Sequence, residues 1–270
     1  MSKEYFLATG NADQQRQTIL QKVYNKTTLD FLIECGLKKS MTVLDYCCKN
    51  GQFAIKLANF VGPEGKVIAV ESKADSLQLA ADTAKKSGVT NIDFQFCKLD
   101  DIANLDIKFD FIFGRWSLIF STNPENVLLQ LQTLLKPGGT LISEELNFDK
   151  DGHFSHPHEP LVDAYHQIVL ANSKKANLPL NLADDLYAMF RNNNFTNIRA
   201  KTNQPIFITP EEKSLYRLSL ISMRQAILSN NLYTEAELFK LEESFKLVEK
   251  NKNLLIGGYR NILISGSKLL

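Results

Sequence analysis

Between residues 41 and 146, short apolar runs alternate with longer stretches in which apolar residues recur every three or four positions. The short runs predict strands over 41–45, 66–71, 92–97, 109–114 and 140–145. The longer ones predict helices over 53–61, 75–87 and 124–135. Strands that alternate with helices need crossover connections, and these build a parallel sheet covered on both faces. Ahead of the first strand, residues 13–34 have helical spacing with Ile19, Val23, Leu29 and Leu32 among the apolar positions, a leading helix expected to cap the open end of the sheet. Downstream the pattern changes. Residues 147–180 are polar and read as an insertion without a rigid scaffold. Residues 182–190 form an amphipathic helix, 192–194 a turn and 197–208 a strand. Pro210, Glu211 and Glu212 start a helical region that runs to 250, and 261–265 closes the chain as a strand. Neither a repeat nor a low-complexity linker separates these regions. The expected organisation is a helical cap over 1–40, a core over 41–146, and a 147–270 segment supplying the last strands with a helical insertion or lid.

Composition adds mainly exclusions. A 270-residue chain with 44% hydrophobic residues can bury one full-sized core and an accessory segment. With 31 basic and 30 acidic residues and no dense basic tract, neither nucleic acid nor an anionic membrane surface is expected as a partner. Residues 1–10 lack the apolar centre of a signal peptide. No apolar run approaches the roughly 20 residues that cross a bilayer. A cytoplasmic monomer or homodimer is therefore expected. Cys35, Cys47, Cys48 and Cys97 form no CxxC pair and no zinc-type spacing, so reduced thiols and no metal are expected.

The chemistry concentrates in the segment from Val43 to Gly51, where a strand ends in a tight loop before a helix. Open α/β sheets bind nucleotide-like ligands at such a place. Glu71 ends the following strand, 20 residues past Gly51, where a carboxylate can hold both hydroxyls of a ribose. Asp45 then separates the possible cofactors. It would repel the pyrophosphate of a dinucleotide, which wants glycines and helix-dipole amides, whereas it suits the ammonium and sulfonium of S-adenosylmethionine. An NAD-dependent reductase is disfavoured by this aspartate and by the scarcity of glycine.

These residues resemble the class I S-adenosylmethionine-dependent methyltransferases, of a small-molecule type, over roughly residues 41–146. The family's first motif, V-L-D-x-G-C-G-x-G, is matched by Val43-Leu44-Asp45-Tyr46-Cys47-Cys48-Lys49-Asn50-Gly51. Val67-Ile68-Ala69-Val70-Glu71 is similar to its ribose-binding motif and Phe109-Asp110-Phe111-Ile112-Phe113 to its fourth strand. Leu134-Leu135-Lys136-Pro137-Gly138-Gly139-Thr140-Leu141 looks like the L-L-K-P-G-G-x-L segment before the fifth. The resemblance implies a Rossmann-like α/β fold: a mostly parallel seven-stranded sheet with helices on both faces. It also implies S-adenosylmethionine as cofactor and a small-molecule methyl acceptor as partner. Asp45, Cys47, Gly51, Glu71 and Ser72 would line the cofactor site from the first two strands, with Leu99, Asp100, Gly114 and Arg115 from the third and fourth. Tyr5 with Leu7, followed by Asp13 and Arg16, resembles a leader that folds over the cofactor, which adds Tyr5 and Arg16.

The departures fall on the same loop. Cys47 and Lys49 stand where the family has glycine, a residue that tolerates φ > 0 and lets a ligand approach the backbone. Their side chains should crowd the cofactor or redirect the loop. Lys98 takes the place of the adenine-binding aspartate, with Asp100 two residues on as a substitute. Lys49 and Lys98 therefore bring positive charge toward a site for a cationic ligand, unless their long stems carry it to solvent or Lys49 pairs with the cofactor's carboxylate. Enzymatic methyl transfer and a methyltransferase-like module without turnover both fit this loop.

For catalysis, Gly114-Arg115-Trp116-Ser117 follows the fourth strand in place of an Asn-Pro-Pro-Tyr-type motif. Arg115 is suited to a substrate or cofactor carboxylate. Glu144 and Glu145 close the fifth strand and point to opposite faces, and Glu144 is taken as the base or substrate-orienting group. All four histidines (His153, His156, His158 and His166) fall within 14 residues without metalloprotease spacing, and His153 is taken as a single catalytic histidine.

Overall fold

The computed structural model describes residues 10–148 and 152–269. The leading helix is α1 (Asn11–Glu34). After it the chain alternates: β1 (Thr42–Tyr46), α2 (Gln52–Val61), β2 (Lys66–Glu71), α3 (Ala74–Lys86), β3 (Ile92–Phe96), β4 (Phe109–Arg115), α4 (Pro124–Leu134) and β5 (Leu135–Leu146). The second half contains β6 (Ser155–His156), α5 (Pro160–Lys175), α6 (Leu182–Asn192), β7 (Thr196–Asn203) and β8 (Ile206–Phe207). It ends with α7 (Pro210–Ser229), α8 (Glu235–Lys250), β9 (Leu255–Gly257) and β10 (Asn261–Ser267). Seven strands form one sheet in the order β3-β2-β1-β4-β5-β10-β7. Pairs among β1–β5 are parallel, and β10 runs antiparallel to both of its neighbours. This is the mostly parallel, doubly covered sheet that the periodicity predicts.

Strand alternation sends side chains into two cores. Val43, Val67, Ala69, Phe111, Phe113, Ile142 and Leu263 pack with Phe53, Ala54 and Leu57 of α2 and with Phe31 and Leu32 of α1. Leu44, Tyr46, Ile68, Ile112, Leu141 and Ile264 pack on the opposite face with Val127 and Leu131 of α4, Leu186 and Phe190 of α6, and the apolar sides of α5 and α7. The order of strands reverses direction at β1, whose neighbours are β2 and β4. Their carboxyl ends leave the crevice in which α/β sheets seat ligands.

Four expectations need correction. α1 does not cap an open end of the sheet. Thr28 donates to Glu144 on β5, Asn203 of β7 donates to the Tyr24 carbonyl, and Cys35 contacts Ser265 of β10, so the helix lies across the sheet's second half. The polar 147–180 region holds a 16-residue helix, α5, which buries Val162, Tyr165, Ile168 and Val169. The strand expected over 197–208 splits at Pro205 into β7 and β8, as proline supplies no ladder donor. β8 then joins β6 and β9 in a separate three-stranded sheet. The helical region 210–250 is two helices, each opened by a capping box, at Thr209/Glu212 and at Thr234/Glu237. Among the described residues no helix is long and apolar enough to cross a membrane. All four cysteines are free thiols.

Candidate functional site

The loop between β1 and α2 keeps a glycine-type path without the glycines. Cys47, Lys49 and Gly51 all lie in the left-handed region, at φ 60°, 51° and 73°. Such a conformation costs an L-residue roughly 1–2 kcal/mol, so the surroundings must impose it at Cys47 and Lys49. They do so through the backbone: Cys48 N–H donates to the Val70 carbonyl at 2.9 Å and Lys49 N–H to Glu71 Oε2 at 3.1 Å. Gly51 is needed on two counts, its positive φ and a Cβ that would press into Ala80 at 2.7 Å. The positive φ at both positions accommodates their side chains, and Cys47 and Lys49 both line the cavity below.

Beneath this loop lies a cavity of about 60 Å³ lined by Asp45, Cys47, Cys48, Lys49, Asn50, Phe53, Phe113, Arg115 and Trp116, with Gln17, Leu20, Gln21 and Asn25 of α1 closing it. Asp45 is buried, and its Oδ2 has no hydrogen-bond partner among the described residues. Burial, opposed by the positive charges of Arg115 and Lys49, pushes its carboxyl up to about 7. Glu71 is occupied with the backbone: Oε1 accepts from the amides of Ser72 at 2.8 Å and Lys73 at 3.1 Å, and Oε2 from Lys49. One lone-pair direction on Oε2 remains for a ligand hydroxyl.

Trp116 forms the far wall. It follows β4 directly and has φ 51°, an outlier for so bulky a residue. Its N–H donates to the Glu144 carbonyl at 2.8 Å and its indole N–H to Asn261 Oδ1 at 3.0 Å. Behind it lies a second cavity of about 80 Å³, lined by Ile119, Phe120, Leu146, Phe148, Val169, Leu178, Leu180 and Met223, with the hydroxyls of Tyr165, Ser219 and Tyr259 at one side. Tyr165 hydrogen-bonds Tyr259, and Ser219 contacts the same hydroxyl at 3.1 Å. Lys49 and Trp116 are the two described residues that line both cavities, and the Lys49 ammonium sits 5.1 Å from the indole centroid.

The profile of the methyltransferase-domain family matches residues 37–204, well over half of the chain. The chain belongs to the class I S-adenosylmethionine-dependent methyltransferases. A ubiquinone/menaquinone biosynthesis C-methyltransferase from Hahella chejuensis is 26% identical over 150 residues, 55% of this chain and 56% of that protein. An arsenite methyltransferase from Aquipseudomonas alcaligenes is 28% identical over 185 residues, 66% of this chain and 51% of the relative. The chain thus spans about half the length of the curated relatives it matches. Among solved structures, the YcgJ protein from Bacillus subtilis shares the fold at a TM-score of 0.60 and 16% identity, covering 91% of this chain and 99% of that one.

Within this methyltransferase fold, the residues expected at the site separate into groups. Asp45, Cys47, Gly51 and Glu71 sit together at the loop, and Ser72 donates to Glu71 beside it. Arg115 lines the loop cavity, but its guanidinium is committed to the protein: Nε to Glu144 at 2.7 Å, Nη1 to Asn25 at 2.8 Å and Nη2 to Thr28 at 2.6 Å. Glu144 is the other half of that ion pair. Fully buried and held also by Asn261 and Asn203, it lines neither of these two cavities. Gly114 serves packing, because a Cβ there would overlap the Tyr46 ring. Arg16 pairs with Asp13 and lines the apolar cavity rather than the loop cavity. Asp100 is exposed and accepts from Ser121 at 2.8 Å, with Leu99 beside it partly buried against the core. Lys98 is exposed, so of the two lysines only Lys49 lines the loop cavity. Tyr5 lies outside the described residues.

His153 likewise lines neither of these two cavities. It stacks on His166 at 3.8 Å between centroids, His166 stacks on Phe148, and only Phe148 reaches the apolar cavity. Its Nε2 lies 3.1 Å from Asp163, which also faces His158 at 3.6 Å. Among the described residues no group of side chains forms a metal site. Two residues outside the expected set shape the site. Trp116 is one, and its signal was available: it is the chain's single tryptophan, placed directly after the fourth strand. Glu145 is the other. Its Oε1 accepts from the amides of Ser117 at 3.1 Å and Leu118 at 3.0 Å, holding the turn that carries Trp116.

Proposed function

We propose that the chain transfers the methyl group of S-adenosylmethionine to an apolar small-molecule acceptor. The observation that carries this reading is the unpartnered, buried Oδ2 of Asp45, a residue that lines a small cavity at the switch point of the sheet. A buried polar atom without a partner is costly, and an ammonium group would satisfy it. The donor set fits the cofactor: Asp45 for its cationic amino-acid half, Glu71 for ribose hydroxyls and the amides of the loop around it. When bound, the cofactor supplies an electrophilic methyl group. The protein's own contribution is positional. Trp116 and the apolar wall behind it keep water from the transfer point and hold the acceptor in line. Glu145 keeps Trp116 in place from below.

The relatives' names mention quinone precursors and arsenite. The apolar cavity has no cysteine among its described lining residues, which supports an organic acceptor with at most one or two polar groups. The reading is tested by titration calorimetry of the full chain with S-adenosylmethionine. Binding is expected in the micromolar range, weakened on the order of tenfold by Asp45→Asn, as for a lost charge-assisted hydrogen bond. No heat and no thermal stabilisation at millimolar ligand would overturn it. A second reading, a methyltransferase-like module without turnover, draws on the side chains at Cys47 and Lys49. It predicts binding with no transfer of radiolabelled methyl to any quinone-like acceptor.

A further inference from the structure

The apolar cavity carries a polar feature that methyl transfer alone does not explain. Tyr165 of α5, Ser219 of α7 and Tyr259 of the turn before β10 all line it. Their hydroxyls are joined: Tyr165 bonds Tyr259, and the Tyr259 hydroxyl lies 3.1 Å from Ser219 Oγ. Tyr24 of α1 steadies the turn by donating to the Tyr259 carbonyl at 2.6 Å. Tyr165 and Ser219 are each 2% exposed, so three separate elements hold a buried cluster rather than a surface patch. Beyond its Cβ a serine has no side-chain atom but the hydroxyl oxygen, so a lining serine brings that oxygen to the wall.

A hydroxyl has more lone pairs than protons, so a set of them keeps accepting capacity even when every proton is shared within the set. A ligand group that donates therefore suits this cluster better than an ether, a ketone or a methyl. Charge is not what the cluster offers. Burial, with the Tyr259 hydroxyl beside it, holds the Tyr165 proton on to well above the ordinary tyrosine range, so no anion is presented to an ammonium ligand. The cations of the lining are engaged: Arg16 with Asp13 at 2.6 Å, and the Lys49 ammonium over the Trp116 ring. Trp116, Phe120 and Phe148 add flat apolar walls, and about 80 Å³ is room for one small ring. We propose that Ser219, Tyr259 and Tyr165 form a hydroxyl-recognition subsite, and that the cavity takes a neutral single-ring phenol in preference to its methyl or carboxylate counterpart. The phenol's role as methyl acceptor rests on the reading above; its binding to the cavity does not need the cofactor.

The test is calorimetry on the full chain with three probes: p-cresol, p-xylene, which has a methyl in place of the hydroxyl, and p-toluate, which has a carboxylate there. On hydrophobicity alone p-xylene would bind best. The subsite predicts that p-cresol binds at least about fivefold more tightly than p-xylene, and that p-toluate does not bind at the same concentrations. Ser219→Ala removes the wall oxygen and should bring p-cresol and p-xylene to within about twofold, with p-xylene affinity unchanged. A residue that served packing alone would weaken both together. Ser219→Cys keeps the size but offers only a weak sulfur partner; it should lose the preference too, and serves if the Ala variant fails to fold. Four results overturn the proposal: p-xylene bound as tightly as p-cresol by the wild type, the same ratio in the variants, p-toluate bound in place of p-cresol, or no p-cresol binding. Each of these leaves the calorimetry of the cofactor untouched. Selective p-cresol binding by a protein that gives no heat with S-adenosylmethionine sustains the subsite and overturns the methyl-transfer reading alone.

Discussion

Asp45 and Glu145 are both buried, and burial raises each carboxyl to about 7. In the unfolded chain each titrates near its ordinary value, about 4. Between those values the folded protein binds more protons than the unfolded one, so stability present below pH 4 is lost as pH rises through 7. Urea unfolding of the ligand-free protein at pH 5 and pH 8 should show lower stability at pH 8, by a few kcal/mol at most per group. Asp45→Asn and Glu145→Gln should each flatten that dependence, and a pH-independent midpoint in the wild type would contradict the assignment. Asp45 and Glu71 were legible in the sequence because an acid at a strand end before a tight loop has few structural uses. The choice between Glu144 and Glu145 was not. Alternation places them on opposite faces, but only the packing of α1 decides that Glu144 is the one locked against Arg115. Lys98 misled for the opposite reason, since an alignment position says nothing about where a long exposed side chain points.

At the scale of elements, β4 shows how the site is fixed from below. Its last two residues and the one that follows give Gly114 to the Tyr46 ring, Arg115 to the α1 network and Trp116 to the cavity wall, three successive positions with three different tasks. Gly114→Ala should therefore destabilise the fold by about 1–3 kcal/mol through overpacking, read as a lower urea midpoint. It should also displace Trp116 and weaken ligand binding; an unchanged midpoint would show that the strand end can relax. The strands and helices of residues 41–146 were legible because each has one dominant period. α5 was not, because His166, Asn172 and Ser173 are among its buried residues and give a core-facing helix the composition of a loop. β7 and β8 read as one strand in the sequence, because Pro205 alone marks the break between them.

Across the whole molecule, the apolar cavity is assembled from segments far apart in the chain: Arg16 from α1, Trp116 after β4, Tyr165 from α5, Met223 from α7 and Tyr259 between β9 and β10. Tyr24 of α1 donates to the Tyr259 carbonyl at 2.6 Å, tying the first helix to that last turn. No single stretch announces such a pocket, which is why the sequence indicated a lid but not its lining. The wall residue Trp116 has a further use. It is the protein's sole indole fluorophore, buried among Tyr24 and Tyr259 and with a lysine ammonium over its ring. Excited at its red edge, this one chromophore reports both on unfolding and on either chamber, free of background from other tryptophans. Unfolding should shift its emission to longer wavelength, and filling either chamber should change its intensity. Lys49→Met should alter the emission of the ligand-free protein, because it removes the ammonium laid over the indole, and so separates the lysine's effect on the ring from that of a ligand.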